Sequence, residues 1–272
     1  MLILGYFLIF LMGITLGLIG AGGSILTVPL LTSFFGLSPE TAISYSLYVV
    51  GATPALAAIL HFRSRSIESR VVIIFSLLSF PTVFVVRGWI FPRIPEQIHF
   101  AFMGLSDVHM SRPSFLMLAF SLLMMIASRS MIQKAPQKKE RTRIAPAESF
   151  MRIALSAAVV GLLTGIFGAG GGFIMIPIFV NVLHLEMKRA VGTSLTLIAL
   201  NSFVGIISEA SYKTLDFKFL TTIVIASLLG LLISKTWAPK LQESHLRKSF
   251  GFFVLILGFI LFIKTGLASW RA

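Results

Sequence analysis

The chain contains no cysteine among its 272 residues. This absence excludes disulfide bonds, thiol nucleophiles and zinc sites built on cysteine. Charge is also scarce, since Asp, Glu, Lys and Arg make up 12% of the chain, about half the share of a typical soluble domain. The chain has no H-E-x-x-H, G-x-S-x-G, Walker A or Rossmann motif, so the familiar signatures of metalloproteases, hydrolases and nucleotide-binding enzymes are missing.

Apolar residues, by contrast, dominate the chain. They account for 56% of it, and the mean hydropathy is +0.94. Several runs approach the roughly 20 residues that span a bilayer as a helix. They predict a polytopic, all-α membrane protein. We read the first run as a retained helix rather than a signal peptide, because no basic segment precedes it. The predicted crossings are 2–19, 41–60, 71–90, 114–132, 149–167, 189–208, 217–234 and 249–265.

A glycine-rich sequence occurs twice. It reads G-L-I-G-A-G-G-S at 17–24, followed by Pro29, and G-I-F-G-A-G-G-G at 165–172, followed by Pro177. Both the glycines and the proline are shifted by 148 positions, and the match continues from 42–47 into 190–195. Duplicated, glycine-interrupted apolar segments are typical of secondary transporters. The chain is therefore predicted to contain two repeats, 1–133 and 148–272, joined by a cytoplasmic linker at 134–147.

Basic clusters predict how the chain crosses the membrane. They lie at 63–70, 134–143, 188–189 and 235–248. If the short segments after the two glycine loops (24–35 and 172–183) return across the membrane, all four clusters are cytoplasmic. Both termini are then outside, and the two halves are inverted. If these segments do not cross, the cluster at 188–189 is outside. The net charge of +13 is attributed to these loops and not to a nucleic-acid partner.

The glycine loops are the predicted substrate site. Their amides would begin two half-helices, and a helix N-terminus attracts an anion through its free N–H groups and its dipole. Two such ends, related by inversion, could face one another across one central site. The alternative is that these glycines only allow helices to pack closely. The backbone candidates are Gly22, Gly23, Ser24, Gly170, Gly171 and Gly172.

Small polar residues follow each half-helix at matching positions. Ser46 and Thr53 are seven residues apart and share a helix face, as do Ser194 and Asn201. With Thr193, these side chains could complete the hydrogen-bond shell of an anion. The alternative is hydrogen bonding between helices or to the helix backbone, which is common for Ser and Thr in membranes.

Few ionisable residues fall inside the predicted crossings. Arg87 and its counterpart Lys235 are expected to extend to opposite membrane interfaces, although either could attract an entering anion. Glu209, Asp107 and His109 are expected at interfaces, with proton relay as the alternative. No residue group predicts a metal, a cofactor or catalysis, so the chain is not expected to be an enzyme.

The paired G-x-x-G-A-G-G-[SG] segments, each followed by A-[IV]-x-x-S-L, resemble the sulfite exporter TauE/SafE family over nearly the whole chain. The resemblance implies a transporter in a bacterial-type cell inner membrane that exports sulfite, organosulfonates or related anions with an ion gradient. It carries the binding role to Gly22, Gly23, Ser24 and 170–172, with Ser46, Thr193 and Ser194. A passive anion channel and a non-transporting assembly subunit are the alternatives. The protein could assemble as a homodimer.

Overall fold

The computed structural model describes residues 2–63, 66–102, 105–133, 146–168, 172–181, 183, 185–208, 215–237 and 243–270. The described helices are α1 (Leu2–Ile19), α2 (Thr27–Phe34), α3 (Pro39–Arg63), α4 (Ser69–Val85), α5 (Arg112–Ile132), α6 (Pro146–Phe167), α7 (Gly172–Asn181), α8 (Met187–Ser208), α9 (Phe217–Trp237) and α10 (Glu243–Trp270). A 3-10 segment (Ala21–Leu26) precedes α2, and a π-helical turn (Val86–Ile90) and a 3-10 turn (Phe91–Arg93) extend α4.

All eight predicted crossings are helices. Six helices of the described part of the chain are long and apolar enough to span a membrane, namely most of α3, α4, α5, α6, α8 and α9. Apolar stretches of α1 and α10 are shorter. Large side chains such as Leu77, Phe203 and Ile256 are exposed on the helix surfaces, where lipid would cover them. The chain is an integral membrane protein.

The segment 92–112, which connects the end of α4 to α5, contains a β-hairpin. Its strands are β1 (Gln97–Phe102) and β2 (Leu105–Ser111), and they pair antiparallel. Arg112, at the start of α5, donates from Nε to Glu40 Oε1 over 2.7 Å. This ion pair fastens the end of the hairpin to the start of α3.

Helices α1 and α9 run in the same direction. A Cβ atom at Gly13 would meet the carbonyl oxygen of Ser227, and one at Gly17 would meet the hydroxyl of Ser234. The residue numbers at the contacts therefore increase in the same direction along both helices. Because glycine has no side chain, the backbones approach closely, as in many membrane helix pairs.

Helix α3 also runs parallel to α9. The hydroxyl of Tyr45 accepts a hydrogen bond from the amide of Asp216 over 2.6 Å, and Thr53 Oγ1 donates to Ser227 Oγ over 2.9 Å. Since α1 and α3 are both parallel to α9, they are parallel to each other. The 3-10 segment and α2 must therefore carry the chain back from the end of α1 to the start of α3.

The second half contains an equivalent set. A Cβ atom at Gly161 would lie 2.9 Å from the carbonyl oxygen of Ser79, and one at Gly165 would lie 2.6 Å from Cγ1 of Val86. Helix α6 is therefore parallel to α4.

Helix α8 is parallel to α4 as well. Thr193 Oγ1 accepts from the amide of Glu68 over 3.0 Å, and Ser79 Oγ donates to Asn201 Oδ1 over 2.8 Å. Helices α6 and α8 thus point the same way, and α7 returns the chain between them. We call α1, α3 and α9 the first bundle, and α4, α6 and α8 the second bundle.

The two bundles meet where α3 packs against α8. A Cβ atom at Gly205 would contact Leu47, whereas one at Gly192 would contact His61. The residue numbers at the contacts decrease along α8 as they increase along α3, so α3 and α8 are antiparallel. Each bundle has its own apolar cluster: α2 packs into the first, and α7 into the second through the Phe75–Phe179 ring pair.

Candidate substrate site

The contacts that hold the bundles repeat at the 148-residue shift. Gly13 against Ser227 corresponds to Gly161 against Ser79, with the roles of the halves exchanged. The hydrogen bonds follow the same rule, since Thr53 with Ser227 corresponds to Asn201 with Ser79. Each of these contacts therefore has an equivalent in which the two halves of the chain exchange roles. The same relation determines where the two glycine loops lie.

Each glycine loop lies against the core helix of the other half, where the core helix is α3 in the first half and α8 in the second. Gly20 has φ +83°, and a Cβ there would lie 2.7 Å from Val191 on α8. Gly168 has φ +62°, and a Cβ there would lie 2.6 Å from the carbonyl oxygen of Ile43 on α3. Positive φ and the lack of space both require glycine at these two positions.

The two loops lie at opposite ends of the α3–α8 pair, which differs from the expected arrangement across one central site. Val191 is adjacent to Gly192, which packs against His61 on α3. Between Ile43 and His61 the rise along α3 is about 27 Å. The reason is that α1 and α6 have 18 and 22 residues, enough to cross most of a bilayer before each loop begins.

The predicted loop residues have these positions. Gly22, Gly23 and Ser24 lie in the 3-10 segment, and Ser24 is fully buried. Gly172 begins α7, as expected for a half-helix start, while Gly170 and Gly171 lie outside the described residues. The 3-10 segment contacts α7, so the two returning segments meet between the loops.

The predicted polar side chains already have protein partners. Ser46 Oγ donates to the carbonyl oxygen of Gly168 over 2.7 Å, which ties α3 to the second loop. Ser194 Oγ donates to the carbonyl oxygen of Val191 within its own helix over 2.9 Å. These bonds, with those of Thr193 and Asn201 described above, are the helix-to-helix and helix-to-backbone contacts named as the alternative. A substrate-binding role for these residues stays a prediction.

Arg87 does not extend to the interface, so that expectation was wrong. Its side chain is 4% exposed, Nη2 donates to Ser44 Oγ over 3.1 Å, and the guanidinium lies 4.5 Å from the ring centre of Phe91. The π-helical turn causes this, because it rotates Arg87 inward beside Val86, which packs against Gly165. A buried cation thus lies at the end of the second bundle where the second loop begins.

The other ionisable candidates are less well described. Glu209 lies outside the described residues, and only the backbone of Asp107, His109 and Lys235 is described. The expected linker 134–147 lies outside them too, except for two residues that begin α6. Across the described ranges, no group of three or more acidic or histidine side chains could hold a metal ion.

Sequence reasoning missed Ser79, Ser227 and the contact of Arg87 with Ser44. The first two had a signal, since both are polar residues in apolar crossings and are 148 positions apart. The third had none, because a π-helical turn is not visible in hydropathy.

Comparison with known proteins relates this chain to membrane transporters. The family model described as "Sulfite exporter TauE/SafE" matches residues 6–261. A probable membrane transporter protein of Xylella fastidiosa (strain 9a5c) is 26% identical over 255 residues, covering 90% of this chain and 88% of that protein. Similar proteins with the same description come from Methanocaldococcus jannaschii (25% identical, 93% and 92% covered) and Bacillus subtilis (25% identical, 93% and 96% covered). No solved structure matches this chain.

Proposed function

Because this chain belongs to the sulfite exporter TauE/SafE family of membrane transporters, we propose that it exports small sulfur oxyanions such as sulfite or organosulfonates. It acts in a bacterial-type inner membrane, as a transporter and not as an enzyme. An ion gradient drives export by alternating access. A homodimer stays a prediction.

The exchanged contacts between the two halves of the chain, which occur within each bundle, are the observation that carries this proposal. Equivalent helices α3 and α8 are antiparallel, and α1 and α6 are each parallel to the core helix of their own half. These directions support two inverted repeats, which is the architecture in which one bundle can rock against another around a substrate. They also support the returning segments that make every basic cluster cytoplasmic.

In this proposal, each glycine loop forms one end of the substrate site. Gly22, Gly23 and Ser24 act with Thr193 and Ser194 at the end where α8 begins. The residues 170–172 act with Ser46 at the end where α3 begins, near Arg87. The backbone amides, the hydroxyls and the guanidinium can all donate hydrogen bonds, which suits an oxyanion. The hydroxyls of Ser46 and Ser194 would exchange their present carbonyl acceptors for it.

The energies are sufficient for anion binding. A helix end contributes about 0.3–2 kcal/mol through its dipole, and each hydrogen bond to a charged acceptor about 1.5–3 kcal/mol. Two or three amides at one loop would therefore give weak, reversible binding of the kind that transport requires.

Uptake by proteoliposomes tests the proposal. We expect saturable flux of sulfite or a sulfonate that increases with a pH or ion gradient. Ser24→Asp, which puts a negative charge at the loop, should fold and lose flux. Flux that neither saturates nor responds to a gradient would favour the passive channel, and no flux of any anion would favour an assembly subunit.

A further inference from the structure

Buried polar atoms without a hydrogen-bond partner concentrate in the second bundle. In the described part of the chain they include Ser76 Oγ on α4, Thr164 Oγ1 on α6, and Asn201 Nδ2 and Ser202 Oγ on α8. The side chains of Thr164, Asn201 and Ser202 are fully buried. Within the described residues of the first bundle, no such atom occurs.

The equivalent positions of the first bundle are mostly apolar. Ser76, Thr164 and Ser202 correspond to Val224, Leu16 and Pro54 at the 148-residue shift. Asn201 corresponds to Thr53, whose hydroxyl donates to Ser227. The bundles therefore share their packing contacts but differ in their unpaired polar groups.

The unpaired groups of the second bundle follow one another along its length. The bond from Ser79 to Asn201 places Asn201 on the face of α4, and Gly161 brings α6 to the same level. Thr164 is one helical turn further along α6, in the direction of Arg87. From Ser76 to Arg87 the rise along α4 is about 16 Å, so these groups cover about half of a bilayer core.

The chemistry of these groups favours an oxyanion. A buried N–H or O–H group without a partner is costly, and an oxygen atom that accepts its hydrogen bond removes that cost. Asn201 Nδ2 can only donate, and the three hydroxyls can each donate to the same kind of acceptor. None of the four groups carries a negative charge that would repel an anion or favour a cation.

We propose that the second bundle contains the passage for the oxyanion, with Asn201 Nδ2 as a donor at mid-depth and Arg87 at one end, while the first bundle is its packed support. The passage joins the two glycine loops, since Gly168 follows α6 at one end and Gly20 packs against α8 at the other. This inference rests on the proposed function for the identity of the anion, but not for the existence of the passage.

Paired cysteine variants test the passage directly, because the chain has no cysteine of its own. Thr164→Cys and Leu16→Cys replace equivalent and fully buried residues. In membranes, we expect the anionic thiol reagent sulfonatoethyl methanethiosulfonate to label position 164 at least about tenfold faster than position 16. Methanesulfonate should slow labelling at 164 by occupying the same passage. Equal labelling at both positions, or none at 164, would overturn the proposal.

Hydroxyl removal separates a passage from a packing defect. Thr164→Val and Ser202→Ala remove unpaired groups, so a purely structural role predicts unchanged or higher thermal stability and unchanged flux. We expect unchanged or higher stability with flux or anion affinity reduced about tenfold or more, the size of one lost hydrogen bond to an anion. Ser234→Ala removes a buried hydroxyl of the first bundle that bonds within its own helix, and this control should leave anion affinity unchanged. Normal flux in both second-bundle variants would contradict the passage. A wild-type protein that carries no sulfur oxyanion, yet labels selectively at 164, would contradict the proposed substrate alone.

Discussion

The contact of α1 with α9 and that of α6 with α4 use the same positions, shifted by 148 residues, but the buried surroundings of these contacts differ. In both bundles a glycine allows two helix backbones to touch, and the hydroxyl of Ser227 or Ser79 is hydrogen-bonded to the core helix. Only in the second bundle are there a buried arginine and polar atoms without partners, as far as the structure describes the chain. Features common to both bundles therefore build the architecture, and features confined to one bundle point to transport.

The proposed inversion of the two halves makes the largest prediction, an all-or-none difference in labelling. Single cysteines at position 2, in the hairpin at 97 and near the C-terminus should react with a membrane-impermeant reagent from outside the cell. Cysteines at 64 and 140 should react only after the membrane is opened. A C-terminus labelled only from the cytoplasm would break the relation between the bundles.

Close helix contact should be essential in both bundles. Gly13→Val places a side chain against the backbone of Ser227, and we expect it to cost at least about 3 kcal/mol of stability, because backbone cannot move aside as a side chain can. Gly161→Val should behave alike. The measurement is the folded fraction by gel filtration in detergent. Gly266→Val, where a Cβ meets nothing within 4 Å, is the control, and equal behaviour of the three variants would refute the prediction.

Alanine variants of the two loop glycines should differ in whether a second substitution restores their stability. Gly20→Ala and Gly168→Ala should each cost about 1–3 kcal/mol, since both have positive φ. Val191→Ala should restore part of the loss at Gly20, where the clash is with a side chain. Ile43→Ala should not help at Gly168, where the clash includes a backbone oxygen. Thermal unfolding midpoints of the double variants decide, and equal rescue at both loops would argue against this difference.

The arginine that is buried in the second bundle should matter for anion binding. Arg87→Gln is expected to weaken anion affinity about tenfold or more, because a buried guanidinium bonds strongly to an oxyanion. Arg87→Lys, which keeps the positive charge, should retain part of the anion affinity. The exposed Arg93 on the same end, held by Trp89, provides the control Arg93→Gln. Calorimetric titration with a sulfonate measures all three, and equal affinities for the Gln variants would remove Arg87 from the site.

The smallest prediction compares two equivalent serines. Ser46→Ala removes a bond between the halves and should cost about 1 kcal/mol. Ser194→Ala removes a bond within its own helix turn and should cost much less. Thermal unfolding distinguishes them, and a larger loss for Ser194→Ala would show that this serine has another task.

Sequence alone was sufficient for the helices, and it also showed the duplication on which the proposed repeats rest. Hydropathy is a local property, so the eight helices predicted as crossings could be located from apolar runs, and the glycine loops from their duplication. The same pattern identified Gly172 as the start of a returning helix. It also identified Thr53 and Asn201 as equivalent polar residues, but their contacts could not be inferred from it.

The partners of these residues were decided by the tertiary structure. Thr53 bonds to a helix 174 positions away, and Ser79 to one 122 positions away, distances over which local patterns carry no information. The burial of Arg87 depends on a π-helical turn and on helices from both halves. Composition determined that this chain crosses a membrane as helices, because apolar length is sufficient for that. Which helices touch, and which bundle retains unpaired polar groups, depended on close packing at glycines that only the folded chain brings together.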